Sequence, residues 1–102
     1  MAAYLIVEVG PVRDEAAYAA YRSQVPACVA RAGGRYLARG GTVEVLEGDW
    51  SPERVVVVRF DSRAAARRWW ASHEYAELKA LRQASVASRM VVVDGVHDGE
   101  AL

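Results

Sequence analysis

The sequence predicts an α+β fold in which strands and helices follow one another in the order βαββαβ. Three observations carry the prediction. Short runs rich in β-branched residues stand at 3–9, 54–60 and 89–94, each too brief for a helix of its own. Between the first two lies a stretch in which Tyr18, Tyr21, Val25 and Val29 recur at three- and four-residue spacings, aligning on one helix face. After Phe60 comes a second such stretch, with Ala65, Ala66, Trp69 and Trp70, followed by Tyr75, Leu78 and Leu81. With 102 residues the chain is expected to form a single domain, 1–102, around one core.

The first strand, 3–9, closes at Gly10-Pro11. Asp14 can cap the helix that follows, because its carboxylate accepts an N–H that the first turn leaves unpaired. That helix runs to about residue 32, and Gly33 can take the left-handed backbone that ends it. Pro26 lies inside it and removes the hydrogen bond to Arg22, so a kink or a brief break is expected there. The second strand covers 35–39, bends at Gly40-Gly41 and resumes over 42–47, with Val43, Val45 and Glu47 on one side. A turn over 48–52 leads into the third strand, 54–60. Asp61 or Ser62 caps the second helix, and Ser72 caps a restart of the helical pattern. The last strand, 89–94, is followed by a polar tail from Gly95 that holds His97 and is expected to be loosely ordered.

Right-handed crossovers set strands one and three side by side in the centre of an antiparallel sheet with the helices on one face, the ferredoxin-like arrangement. Residues 55–58 are valine at every position, and 91–93 repeat the habit. A sheet with one wet face alternates apolar and polar residues, whereas continuous apolar runs call for cover on both faces. The helices cover one face only. A second copy of the same sheet, related by a two-fold axis, is the simplest cover for the other, so a homodimer is expected.

Composition narrows the function classes. Thirteen basic and thirteen acidic residues give a formal net charge of zero, which offers no general attraction to nucleic acid or to an anionic membrane. The single cysteine, Cys28, has no disulfide partner and no CxxC companion, and reads as a small buried hydrophobe. The amino-terminal segment MAAYLIVEVG lacks a basic region and reaches Glu8 after a few apolar residues, unlike a signal peptide or membrane span. A cytoplasmic protein is expected.

The segments GGRYLARGG (33–41), VLEGDWSPER (45–54), VVVRF (56–60) and WWASHEYAELKALR (69–82) resemble the DUF1330 family, over nearly the whole chain. The order RGG, LEGDW-x-P-x-R, S-x-E-Y is fairly specific. The resemblance implies a dimeric α/β barrel built from the ferredoxin-like fold, in a family of unknown function that is similar in structure to cofactor-free monooxygenases and muconolactone-isomerase-like enzymes. One scaffold hosts unrelated chemistries, so this is fold analogy and not an activity.

Candidate site residues follow from charge at strand ends and helix breaks. Arg39, before the glycine bend, can hold a carboxylate or enolate oxygen, or can pair with Glu47 or Glu44 across the hairpin. Glu47 can act as a general base if apolar surroundings raise its pKa, or can partner Arg39 or Arg54. Arg54, in the family-like P-x-R pattern, is a candidate substrate contact or a buttress of the turn through Asp49 or Glu47. His73 lies where the helical pattern breaks, where a neutral imidazole suits proton transfer, or is exposed. Tyr75 can donate to a substrate oxygen or fill core. Ser72 belongs to the same family-like motif and is a candidate substrate contact. Trp50, in a polar turn, is expected to touch a partner subunit. No His, Asp or Glu spacing has the form of a helical metal pair, so no metal and no cofactor are expected.

Two functions of different class emerge. One is a homodimer that binds a small molecule between sheet and helices, with cofactor-free proton transfer or oxidation of a small carbonyl or phenolic compound as its chemistry; no paired nucleophile and base supports acyl transfer. The other is a structural or nucleic-acid-binding module, suggested by Arg63, Arg67 and Arg68 beside Trp69. The neutral charge and the all-valine third strand, which lacks stacking aromatics, speak against nucleic acid.

Overall fold

A computed structural model describes residues 1–96; the expectation for His97 and the rest of the tail lies outside the described residues. Strand β1 (Ala3–Val12) leads to helix α1 (Glu15–Arg31), then β2 (Arg35–Ala38), β3 (Arg54–Phe60), α2 (Arg63–Trp70), α3 (His73–Ser85) and β4 (Val86–Asp94). The sheet is antiparallel in the order β2-β3-β1-β4, so strands one and three are central as expected. This is the ferredoxin-like α+β fold.

Alternation along β1 sends Leu5, Val7 and Val9 to the buried face and Tyr4, Ile6 and Glu8 to the other. Leu5 and Val7 meet the buried faces of α1 and α2, where Tyr18, Tyr21, Val25, Val29, Ala66 and Trp69 complete the core with Tyr75 of α3. On the opposite face Ile6 stands between Val57 and Val91, and Tyr4 between Arg59 and Val93. No helix among the described residues lies over that side, and Val91 and Val93 are 62% and 49% exposed.

The caps follow the sequence. Asp14 accepts from the Ala17 N–H, Ser62 from Ala65 and Ser72 from Tyr75. At the end of α1 the Gly33 and Gly34 N–H groups bond back to Ala30 and Val29. A Cβ on Gly34 would sit 2.7 Å from Val29 and 2.9 Å from the Phe60 ring, so only glycine lets the helix end close over the sheet.

Several features differ from expectation. The strand expected over 42–47 does not form. Gly40 takes a positive φ of 78° and turns the chain away, and β2 pairs with β3 only as far as Ala38 opposite Val57. Strand β1 does not stop at Gly10-Pro11 but passes through it as a bulge between Val9 and Val12, a place that tolerates a proline without an N–H. Strand β4 starts at Val86, directly after α3, and not at residue 89.

The fourth difference concerns Pro26, which lies within one continuous helix and causes no break. Its missing N–H leaves the Arg22 carbonyl without its helical donor. The Arg39 Nη2 group donates to that carbonyl at 2.7 Å instead. Trp70 is also not core: next to Trp69 on the helix, it faces outward, 42% exposed, beneath the Lys79 ammonium 3.8 Å from its ring centroid.

Candidate functional site

Packing a single layer of helices, rich in bulky aromatics, on one face of the sheet leaves a cavity between the two layers. About 60 Å³ of it is open to the centre of a water molecule. A single water needs roughly 10–15 Å³ of such room, so the space matches a few waters or a small organic molecule. Its walls are largely apolar, with Leu5, Val7, Val58 and Met90 from the sheet and Val25 and Val29 from α1. Into them project four arginines, Arg22, Arg39, Arg54 and Arg82, and no Asp, Glu or His lines the cavity among the described residues.

Arg82 is the innermost of these cations, 7% exposed. It follows Tyr75 by seven residues on α3, two helical turns on, and therefore lies on the face turned to the core. Its Nε donates to the Tyr75 hydroxyl at 3.2 Å and its Nη1 to the Ser88 hydroxyl at 2.6 Å. The Tyr75 hydroxyl in turn shares a 2.8 Å hydrogen bond with Tyr21, which lines the cavity. Burial pushes the Tyr21 phenol above its ordinary value, and neighbouring Tyr75 pushes in the same direction, so the group stays protonated.

The outer arginines are held by rings and backbone. Arg39 stacks over Tyr36, 5.1 Å from its centroid, while it caps the carbonyl freed by Pro26. Arg22 and Arg54 both approach the Tyr18 ring, at 5.9 and 5.7 Å. The ion pairs expected across a hairpin, Arg39 with Glu47 or Glu44 and Arg54 with Asp49 or Glu47, are not formed among the described residues, since the second leg of that hairpin is not a strand. Burial pushes the Tyr36 phenol up, partly offset by Arg39.

The structure therefore brings two sequence candidates, Arg39 and Arg54, to the cavity. Tyr75 is fully buried behind three lining residues, hydrogen-bonded to Tyr21 and Arg82 and stacked on the Trp69 ring with centroids 4.0 Å apart. Glu47 is exposed in the extended segment 42–53, beside a shallow depression with Leu46 and Trp50. His73 is exposed on the first turn of α3. Ser72 donates to the Trp69 carbonyl at 2.7 Å and accepts from the Tyr75 N–H, so both described bonds of its hydroxyl go to backbone. Trp50 donates its indole N–H to Glu8, which also accepts from Arg89 at 2.6 Å on the outer sheet face.

Sequence reasoning missed Arg82 and Arg22 as polar members of the site. One signal was present for Arg82: a lone cation on the helical stripe of Tyr75 and Leu78, where an exposed-face residue does not belong. No group of three His, Cys, Asp or Glu side chains gathers as a metal site among the described residues. No helix among them is long and apolar enough to cross a membrane.

Comparison with solved structures gives the same fold at low identity. The RPA0582 protein of unknown function from Rhodopseudomonas palustris superposes with a TM-score of 0.75 at 24% identity, covering 94% of this chain and 83% of that one. Its methylated form gives 0.75 at 23% identity over 97% and 84%. SnoaB, a cofactor-independent oxygenase from Streptomyces nogalater, superposes with a TM-score of 0.58 at 14% identity, covering 98% of this chain and 96% of that one. No curated protein matches the sequence. The family model for a domain of unknown function, DUF1330, matches residues 2–96, and with nearly the whole described chain inside that match the protein belongs to the DUF1330 family.

Proposed function

We propose that this protein is a homodimer that binds a small carbonyl or phenolic compound in the cavity between its sheet and helices. The observation that carries the reading is the cavity itself: an apolar space of about 60 Å³ in which the polar groups are few and fixed by their own partners. Arg39 and Arg54 contact the ligand, and Tyr75 acts through the Tyr21 hydroxyl. Ser72, Glu47 and His73 do not line the cavity and take no part in this binding step. Proton transfer or oxidation without a cofactor is the chemistry to assay, since the fold is shared with SnoaB, described as a cofactor-independent oxygenase.

Two observations support the second copy. The outer sheet face carries the Ile6, Val57, Val91 and Val93 patch, with no helix over it among the described residues. The segment 42–53 pairs with no strand among the described residues and leaves Leu46 89% exposed. Covering several hundred Å² of such surface at about 25 cal/mol per Å² offsets much of the cost of association. Thermal-shift screening against small carbonyl compounds and phenols tests the cavity: stabilisation of the wild-type protein that shrinks in Arg39→Ala supports it, and stabilisation indifferent to Arg39→Ala counts against it.

A further inference from the structure

We infer that the ligand of the cavity is a small organic anion, a monocarboxylate with a compact apolar body, whose carboxylate pairs with Arg82. The inference rests on the reading of the cavity as a small-molecule site and names the class of molecule. A guanidinium keeps its charge under all ordinary conditions, and burying a charge without a counter-charge costs several kcal/mol. Arg82 is 7% exposed, yet its described hydrogen bonds go to two neutral hydroxyls, those of Tyr75 and Ser88. No described ion pair includes it. Those bonds use Nε and Nη1, which leaves the Nη2 amino group for another acceptor.

The rest of the cavity agrees in sign. Arg22, Arg39 and Arg54 add positive charge and no described lining residue carries negative charge, so the field favours an anion. Trp69, 4% exposed, borders this cavity and has a buried indole N–H with no partner among the described residues. A buried donor left unpaired is unfavourable, and a ligand oxygen in reach would relieve it. The 60 Å³ limits the body of the anion to a few carbon atoms or one ring, and the valine and leucine walls require that body to be apolar. Arg82 is a ligand-binding residue here; no covalent step is assigned to it.

Calorimetric titration of the wild-type protein with isobutyrate and isobutyramide, and with benzoate and benzamide, separates charge from shape. Each acid is expected to bind at least about tenfold more tightly than its amide, the size of a charge-assisted hydrogen bond. Arg82→Met is expected to abolish that preference, while Arg82→Lys keeps part of it and Arg68→Met, at an exposed position outside the cavity, changes it little. An amide that binds as tightly as its acid overturns the inference and leaves the cavity reading intact. Acid preference that survives in a folded Arg82→Met protein overturns it as well. If Arg82→Met does not fold, the acid and amide comparison on the wild-type protein decides. If these acids, their amides and the phenols of the thermal-shift panel all fail to bind, the cavity reading itself falls and takes the inference with it.

Discussion

Single residues in this molecule are set by what they can and cannot pair with. Glu8 stands on the uncovered sheet face and accepts hydrogen bonds from Trp50 and Arg89, which hold its carboxyl below the ordinary value of 4.5. Because the folded pKa is the lower one, this contribution to stability is present above the unfolded value and is lost as pH falls through the folded value. Denaturant unfolding of Glu8→Gln, followed from neutral pH to below 4.5, is therefore expected to show a smaller loss of stability with acid than the wild type. An identical pH dependence in the two proteins would contradict the assignment. Gly34 is constrained from the other direction, by space. With Val29 and the Phe60 ring 2.7 to 3.0 Å from an added Cβ, and Phe60 fully buried, Gly34→Ala is expected to destabilise by about 1–3 kcal/mol, readable as a fall in the urea midpoint.

At the scale of elements, α1 couples backbone chemistry to the cavity. Pro26 deprives Arg22 of a helical hydrogen bond, and Arg39, from beyond the end of β2, supplies the donor. Pro26→Ala restores the helical N–H and removes the proline penalty, so the protein is expected to gain about 1–3 kcal/mol in chemical denaturation. Arg39 then loses its sole claim on that carbonyl, and affinity for ligands of the cavity is expected to fall in the same protein. More stability with unchanged affinity would separate Arg39 from the site. The Ser72 hydroxyl ties the end of α2 to the start of α3, because it both receives the Tyr75 N–H and donates to the Trp69 carbonyl. Ser72→Ala is expected to cost about 1 kcal/mol, read in the melting temperature, with Ser72→Asp retaining most of the cap.

For the molecule as a whole, the sheet has one face packed under helices and one with no helix over it among the described residues. Ile6, Val57, Val91 and Val93 form a contiguous apolar stripe across the β3, β1 and β4 strands, beside the Glu8–Arg89 pair. A stripe of this kind needs a partner surface, and under the homodimer proposal a second copy of the same sheet provides one. Sedimentation of the wild-type protein is expected to give twice the chain mass, and Val91→Lys, which places a charge in the stripe, is expected to shift the population toward monomer. A wild-type protein that sediments at the mass of one chain removes the homodimer from the proposal.

The sequence by itself determined the element order, the caps and the central place of strands one and three. Each of these depends on neighbours within a few residues or on the alternation along one strand. Asp14, Ser62 and Ser72 announce helix starts because a cap and its N–H lie three residues apart, and the unbroken valines of 55–58 announce a strand. Tertiary structure alone decided which polar residues meet. Arg22, Arg39, Arg54 and Arg82 come from α1, the segment after β2, β3 and α3, and nothing in their spacing says that one cavity gathers them. The same holds for the segment 42–47, whose alternation reads as a strand but which follows the turn at Gly40 and pairs with no strand among the described residues. Local rules fix what depends on adjacent residues. Burial, and the electrostatics that follow from it, depend on which distant segments pack together.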